Sequence, residues 1–248
     1  MIVPNCWRRM LVDRAPIVLR TERLVTGYGT RSIINQVDIE VSAGEVVAVI
    51  GHNGAGKSTL LKAMFGLLPV WSGTVKFAGV PHAKTPRALL RGGVVYVPQG
   101  NQIFSRLTVL ENLELSALVL GRQFLTKRIK NSLELFPTLR ERINQRAGSL
   151  SGGEKQMLSL ACAMSLNPRI LLLDEPSSGL SSTLTKNALN RIASICRNGD
   201  VSALVVEQKV RQVLSIADRV YALRNGTVTF SGPATALADE AMLREVML

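Results

Sequence analysis

An α/β fold with a mostly parallel core sheet is what this sequence predicts, and three observations predict it. Short continuous apolar runs, such as Val46-Val47-Ala48-Val49-Ile50 and Ile170-Leu171-Leu172-Leu173, suit strands covered on both faces, as in a parallel sheet. Helical patterns separate most of the later runs. Residues 51 to 59 read Gly-His-Asn-Gly-Ala-Gly-Lys-Ser-Thr, the G-x-x-x-x-G-K-[ST] phosphate-binding loop, placed between one such run and an apolar, helix-like segment from Leu60 to Leu68.

Taken in order, strand-like segments lie at Ile17 to Val25, Val37 to Val41, Glu45 to Ile50, Thr74 to Phe77, Gly93 to Val97, Ile170 to Leu173, Ala203 to Val206 and Arg219 to Leu223. Between Ser105 and Asn167 no convincing strand occurs, so this stretch reads as a helical subdomain inserted before Ile170. Asn225-Gly226 between two β-rich runs is a strong signal for a hairpin near the C-terminus. Met1 to Arg14 has no evident role in the fold and reads as an unstructured extension, with Met10 a second candidate start. No repeat, low-complexity tract or Pro-rich linker interrupts the chain.

The loop carries its own chemistry. Gly51, Gly54 and Gly56 let the backbone bend so that successive N–H groups, through His52, Asn53 and Ala55 to Thr59, converge on phosphates at a helix N-terminus. Lys57 supplies a point charge for the β- and γ-phosphates, and the Ser58 hydroxyl suits Mg²⁺. A second motif, Ile170 to Pro176, is a buried strand ending in two carboxylates, the Walker B pattern. Asp174 at the strand end is placed to hold Mg²⁺, and Glu175 to polarise the attacking water. A third, Leu150-Ser151-Gly152-Gly153-Glu154, opens an amphipathic helix from Lys155 to Leu166 and offers another anion-ready helix start. Gln99, in Val97-Pro98-Gln99, lies between the first and third motifs.

Together, Gly51 to Thr59, Gln99, Leu150 to Glu154 and Asp174-Glu175 closely resemble the ATP-binding subunits of ABC transporters, over nearly the whole chain from Tyr28 to Gly232. The resemblance implies a P-loop NTPase fold of ABC ATPase type, with an antiparallel β subdomain beside the core sheet and the helical subdomain at about 105 to 167. It implies one such domain over residues 1 to 248, with ATP and Mg²⁺ as ligands. Tyr28 falls where the family's adenine-stacking aromatic lies, although it also reads as a turn residue in Thr26-Gly27-Tyr28-Gly29. Gln99 matches the glutamine that contacts Mg²⁺ and the γ-phosphate and reports nucleotide state to the membrane subunit. Ser151, Gly152 and Gly153 would cap the γ-phosphate of ATP on an opposing ATPase subunit, identical or different. Ser178 to Ser181 occupies the loop that crosses that interface. Transmembrane permease subunits and, indirectly, a soluble substrate-binding protein complete the implied assembly, which places the chain on the cytoplasmic face of the membrane.

One departure carries information. The family usually has a histidine after the strand that follows Walker B, but here the sequence is Val206-Glu207-Gln208, and the chain's two histidines are His52 and His82. Gln208 can hydrogen-bond a γ-phosphate but cannot accept a proton, so base chemistry falls on Glu175. Gln208 and the segments Ile103 to Val109 and Val210 to Arg219 resemble one ATPase subunit of branched-chain amino acid importers, a group that includes urea and short-amide importers. Residues 231 to 248 are too few for the regulatory domain of many sugar-importer ATPases.

Composition bounds the alternatives. Thirty Lys and Arg against eighteen Asp and Glu give a formal charge of +12, yet the basic residues are scattered and aromatics make up 4%, which favours an anionic lipid surface or protein partner over nucleic acid. Three cysteines, Cys6, Cys162 and Cys196, suit reduced thiols in the cytosol. A DNA-repair or chromosome-organising relative would need a long coiled-coil insertion, and a translation-associated one a second ATPase domain. An exporter subunit is the remaining alternative, since it shares the ATP chemistry.

Overall fold

The protein is described from a computed structural model that covers residues 15–81, 85–100, 102–197 and 201–247. The expected N-terminal extension, Cys6 and His82 lie outside the described residues.

The chain opens with two long antiparallel strands, β1 (Ile17–Tyr28) and β2 (Arg31–Ser42), then enters β3 (Val46–Ile50) and helix α1 (Lys57–Met64). β4 (Ser72–Phe77) and the two-residue β5 (Val80–Pro81) complete a four-stranded antiparallel sheet in the order β2-β1-β4-β5. After α2 (Pro86–Arg91) and β6 (Val94–Val97) the chain is helical, through α3 (Val109–Leu118), α4 (Leu125–Leu135), α5 (Pro137–Glu141) and α6 (Gly152–Ser165). It then returns as β7 (Ile170–Asp174), α7 (Ser182–Arg197), β8 (Ser202–Val206), α8 (Val210–Leu214), β9 (Arg219–Arg224), β10 (Thr227–Pro233) and α9 (Glu240–Met247).

The central sheet runs β10-β9-β3-β8-β7-β6, parallel throughout except for the terminal hairpin β9–β10. Every residue of β3, β7 and β8 is buried. Because alternate side chains leave opposite faces, Val46, Ala48 and Ile50 join the core packed by α3, α6 and α7, while Val47 and Val49 join the core under β1, β2 and α1. Each fully buried Val, Leu or Ile contributes about 1.5–3 kcal/mol, so both faces of this sheet are strongly fixed. The motif loops project from its C-terminal edge, where open α/β sheets place ligands.

The antiparallel arm departs most from the sequence expectation. β1 continues three residues past Val25, and β2 begins six before Val37. Bulges interrupt their pairing at several points, with Arg23 at φ 45 and Gln36 at φ 51, so the period-2 pattern slips and conceals the strand ends. The helix expected from Leu60 to Leu68 ends at Met64, where Gly66 at φ 74 turns the chain. The last helix of the inserted stretch starts at Gly152 rather than Lys155, because Ser151 caps it. Asn225-Gly226 makes the two-residue hairpin turn with φ 47 and 78, the left-handed pair such a turn requires.

Candidate active site

The phosphate loop leaves β3 at Gly51 and enters α1 at Lys57. Gly51 (φ 154) and Gly56 (φ 103) are required by more than their dihedrals: a Cβ at Gly51 would stand 2.2 Å from the Leu223 carbonyl oxygen, and one at Gly56 2.7 Å from Ile34 Cδ1. The hairpin turn supports the loop from outside, as the Gly226 N–H donates to the Ala55 carbonyl at 3.0 Å and the Asn35 N–H to the Gly226 carbonyl at 2.8 Å. Gly226 is a residue the motif reading missed.

Lys57 is 5% exposed, and its ammonium donates to the carbonyls of Gly51 (2.7 Å) and His52 (3.0 Å), across the loop. Burial lowers its pKa, opposed by the charges of Glu175, Asp174 and Glu207. A buried cation hydrogen-bonded to neutral carbonyls at a helix N-terminus is suited to an anionic ligand, and a triphosphate fits. Next to it, Ser58 Oγ donates to Asp174 Oδ1 at 2.9 Å, and Tyr96 Oη donates to Asp174 Oδ2 at 3.0 Å. Burial, aided by the Asp174 charge, raises the Tyr96 pKa, which keeps the phenol a donor. Two hard oxygens, from Ser58 and the nearly buried Asp174, thus lie side by side, a donor set that suits Mg²⁺.

Glu175, at φ 48, leaves β7 in a left-handed conformation that is uncommon for a non-glycine residue and projects its side chain out of the strand. Its carboxylate is gripped at both oxygens: Gln99 Nε2 donates to Oε2 at 2.7 Å and Gln208 Nε2 to Oε1 at 2.5 Å. The Gln99 amide also reaches Ser178 Oγ at 3.3 Å. One strand behind this, Glu207, 2% exposed, accepts the Ser177 N–H at 2.9 Å and the Gln208 N–H at 3.2 Å. Tyr96 and Glu207 had no motif to mark them; their signal is position, since Tyr96 is the penultimate residue of β6 and Glu207 directly follows β8.

Other expected residues stand apart from this cluster. Tyr28 ends β1 and is 47% exposed; the hairpin it belongs to continues into Ile33 and Ile34, which border Gly56. His52 Nε2 donates to the Met247 carbonyl at 2.6 Å, so its ring faces α9 while its amide stays in the loop. Asn53 and Gly54 lie exposed at the loop tip, and Thr59 is buried in the first turn of α1. Ser151 caps α6: Ser151 Oγ accepts the Glu154 N–H at 3.3 Å and Glu154 Oε2 accepts the Ser151 N–H at 2.8 Å, a capping box braced by Arg142 at 2.8 Å. Ser151 and Gly152 are exposed, and Gly153 packs against Leu184. Among the described residues, no hydrogen bond joins Ser151 to Gly153 with the phosphate loop.

Comparison with known proteins agrees with this arrangement. The ABC transporter family pattern matches residues 34–178, more than half of the chain. A "high-affinity branched-chain amino acid transport ATP-binding protein", BraG of Pseudomonas aeruginosa, is 38% identical over 93% of this chain and 99% of its own length. The probable branched-chain amino acid transport protein LivF of Archaeoglobus fulgidus is 37% identical, covering 93% and 98%. LptB of Acidithiobacillus ferridurans, a lipopolysaccharide export ATP-binding protein, is 31% identical, covering 93% and 96%. Among solved structures, an ABC transporter cassette in its ADP conformation superposes with a TM-score of 0.84 at 27% identity, covering 93% and 98%. The fold, the motif geometry and these likenesses make the chain a member of the ABC transporter family, as one of its ATP-binding and ATP-hydrolysing subunits.

Proposed function

We propose that this subunit powers an importer of branched-chain amino acids or chemically similar small amides. Support comes from the 38% and 37% identity to two branched-chain amino acid transport subunits, against 31% for the lipopolysaccharide export protein, and from Gln208 in place of the usual histidine. In this reading the chain pairs head to tail with a second ATPase subunit, docks on transmembrane permeases at the cytoplasmic face of the membrane, and receives substrate through a soluble binding protein. No helix among the described residues is long and apolar enough to cross a membrane, so permease subunits would supply the pathway.

The observation that carries the hydrolytic reading is the gripping of both Glu175 oxygens by Gln99 and Gln208. Each oxygen retains a lone pair, so the carboxylate can accept a proton from water while the amides fix its direction. Tyr28 would stack on the adenine. The phosphate loop, Lys57 and the start of α1 would bind the triphosphate, with Ser58, Asp174 and the Gln99 carbonyl holding Mg²⁺, whose charge would stabilise the phosphoryl oxygens. Ser151, Gly152 and Gly153 would complete the other subunit's site. The test is reconstitution with the neighbouring permease and binding-protein gene products. Binding-protein-dependent ATPase activity and uptake of a labelled branched-chain amino acid support the importer; the exporter reading, which the LptB likeness favours, requires ATP-driven efflux without a binding protein.

A further inference from the structure

The residue after Gln208 makes contacts that no motif explains. Lys209 Nζ donates to Thr185 Oγ1 at 2.7 Å, to the Leu180 carbonyl at 2.8 Å and to the Ser177 carbonyl at 3.3 Å. An ammonium has three N–H bonds, and all three end on one short segment between β7 and the first turn of α7. All three acceptors are uncharged oxygens. The positive end of the α7 dipole lies nearby, which disfavours a cation, so the site's attraction for Lys209 comes from the loop carbonyls and Thr185. Thr185 and Ser177 are fully buried, and the loop's turns are closed by the Ser178 N–H on the Glu175 carbonyl at 3.0 Å and the Leu180 N–H on the Ser177 carbonyl at 3.1 Å. Three consecutive residues therefore grip this segment at different points: Glu207 at the Ser177 N–H, Gln208 at the Glu175 carboxylate, and Lys209 at the Ser177 and Leu180 carbonyls and Thr185.

We propose that Lys209 is a positioning residue for hydrolysis, which locks the loop from Ser177 to Ser181 to the strand end that presents Gln208. The inference rests on the reading above, in which that loop lies at the interface with the opposing ATPase subunit. When the interface closes on this loop, the displacement reaches Gln208 and Glu175 through Lys209 as one rigid unit. Glu207 holds the same unit from the other side, and among the described residues neither side chain is hydrogen-bonded to the phosphate loop.

The experiment uses the complete transporter with only this subunit changed, and measures ATPase kcat and KM for Lys209→Met, Lys209→Arg, Thr185→Val and Glu175→Gln. Misplacement of a reacting group by about 1 Å costs on the order of 10²-fold, so Lys209→Met is expected to lower kcat by about 10- to 100-fold. KM for ATP should stay within about twofold, because the phosphate loop is untouched. Lys209→Arg restores part of the rate by reaching the same oxygens, and Thr185→Val shows a smaller fall with the same split. A wild-type kcat in both Lys209→Met and Thr185→Val overturns the proposal, as does a parallel loss of kcat and ATP affinity. A fast Glu175→Gln enzyme instead overturns the hydrolytic reading on which it rests.

Discussion

The two glycine-rich motifs of this chain are both helix starts, yet they are built differently. Around the phosphate loop, three sets of hydrogen bonds, Lys57 on the Gly51 and His52 carbonyls, Ser58 and Tyr96 on Asp174, and Gln99 and Gln208 on Glu175, lie at the ends of four neighbouring strands, β3, β6, β7 and β8. Around Ser151, the polar contacts turn inward to Glu154 and Arg142 and serve the helix itself. The first region brings the proposed binding and reaction groups together. The second is a cap whose Ser151 and Gly152 are exposed, and among the described residues it makes no hydrogen bond to this chain's own phosphate loop. In the proposed head-to-tail pair, each cap would serve the other subunit's loop, so both regions would be used.

The comparison can be broken first at Glu175. Glu175→Gln should keep ATP binding and slow hydrolysis in the complex by about 10²- to 10⁴-fold, the usual worth of a positioned base, measured by steady-state phosphate release. A smaller effect is expected at Gln208. Gln208→Ala removes one hydrogen bond to a charged group, worth about 1.5–3 kcal/mol, and should lower kcat roughly 10- to 100-fold with little change in ATP binding. The wild-type rate should show no ionisation near the histidine value of about 6.5, since an amide does not titrate. A pH–rate profile of wild type, Gln208→Ala and Gln208→His checks both statements.

These residues were unequally legible in the sequence. The parallel strands β3, β7 and β8 announced themselves because they are buried on both faces, and the phosphate loop, Asp174 and Glu175 because fixed spacing expresses fixed geometry, whereas Gln99 was marked by the family resemblance. The ends of β1 and β2 did not, because bulges at Arg23 and Gln36 shift the alternation that marks a half-buried strand. Tyr96 and Glu207 were silent for another reason, and Gly226 spoke only as a hairpin turn and not as a support of the phosphate loop: each acts on a partner 78, 30 or 171 residues away, and a single chain gives no pattern for such pairs. Gln208 was read as a γ-phosphate contact; in the structure its amide lies on Glu175, so a contact to phosphate would follow a change of partner.

The smallest effect belongs to the cap. Bonds from the Ser151 N–H and hydroxyl, with the Arg142 charge, hold the Glu154 carboxyl below the usual carboxylate range. A group with a lowered folded pKa contributes stability that is complete above its unfolded value and is lost as pH falls through the folded one. Ser151→Ala should therefore cost about 0.5–2 kcal/mol at neutral pH, with the deficit shrinking as Glu154 is protonated below about pH 4.5. Thermal unfolding of the isolated subunit across that range measures it; a deficit that grows in acid contradicts the capping account.

The central claim is that the phosphate loop binds ATP within this chain while the Ser151 cap acts on another. ATP affinity of the isolated subunit, measured by calorimetry for wild type, Lys57→Ala and Ser151→Ala, tests it most directly. The account predicts binding lost in Lys57→Ala and unchanged within about twofold in Ser151→Ala, although hydrolysis by the assembled complex falls in both. Equal loss of ATP affinity in the two isolated variants would mean that both motifs hold the same nucleotide in one chain, and would contradict it.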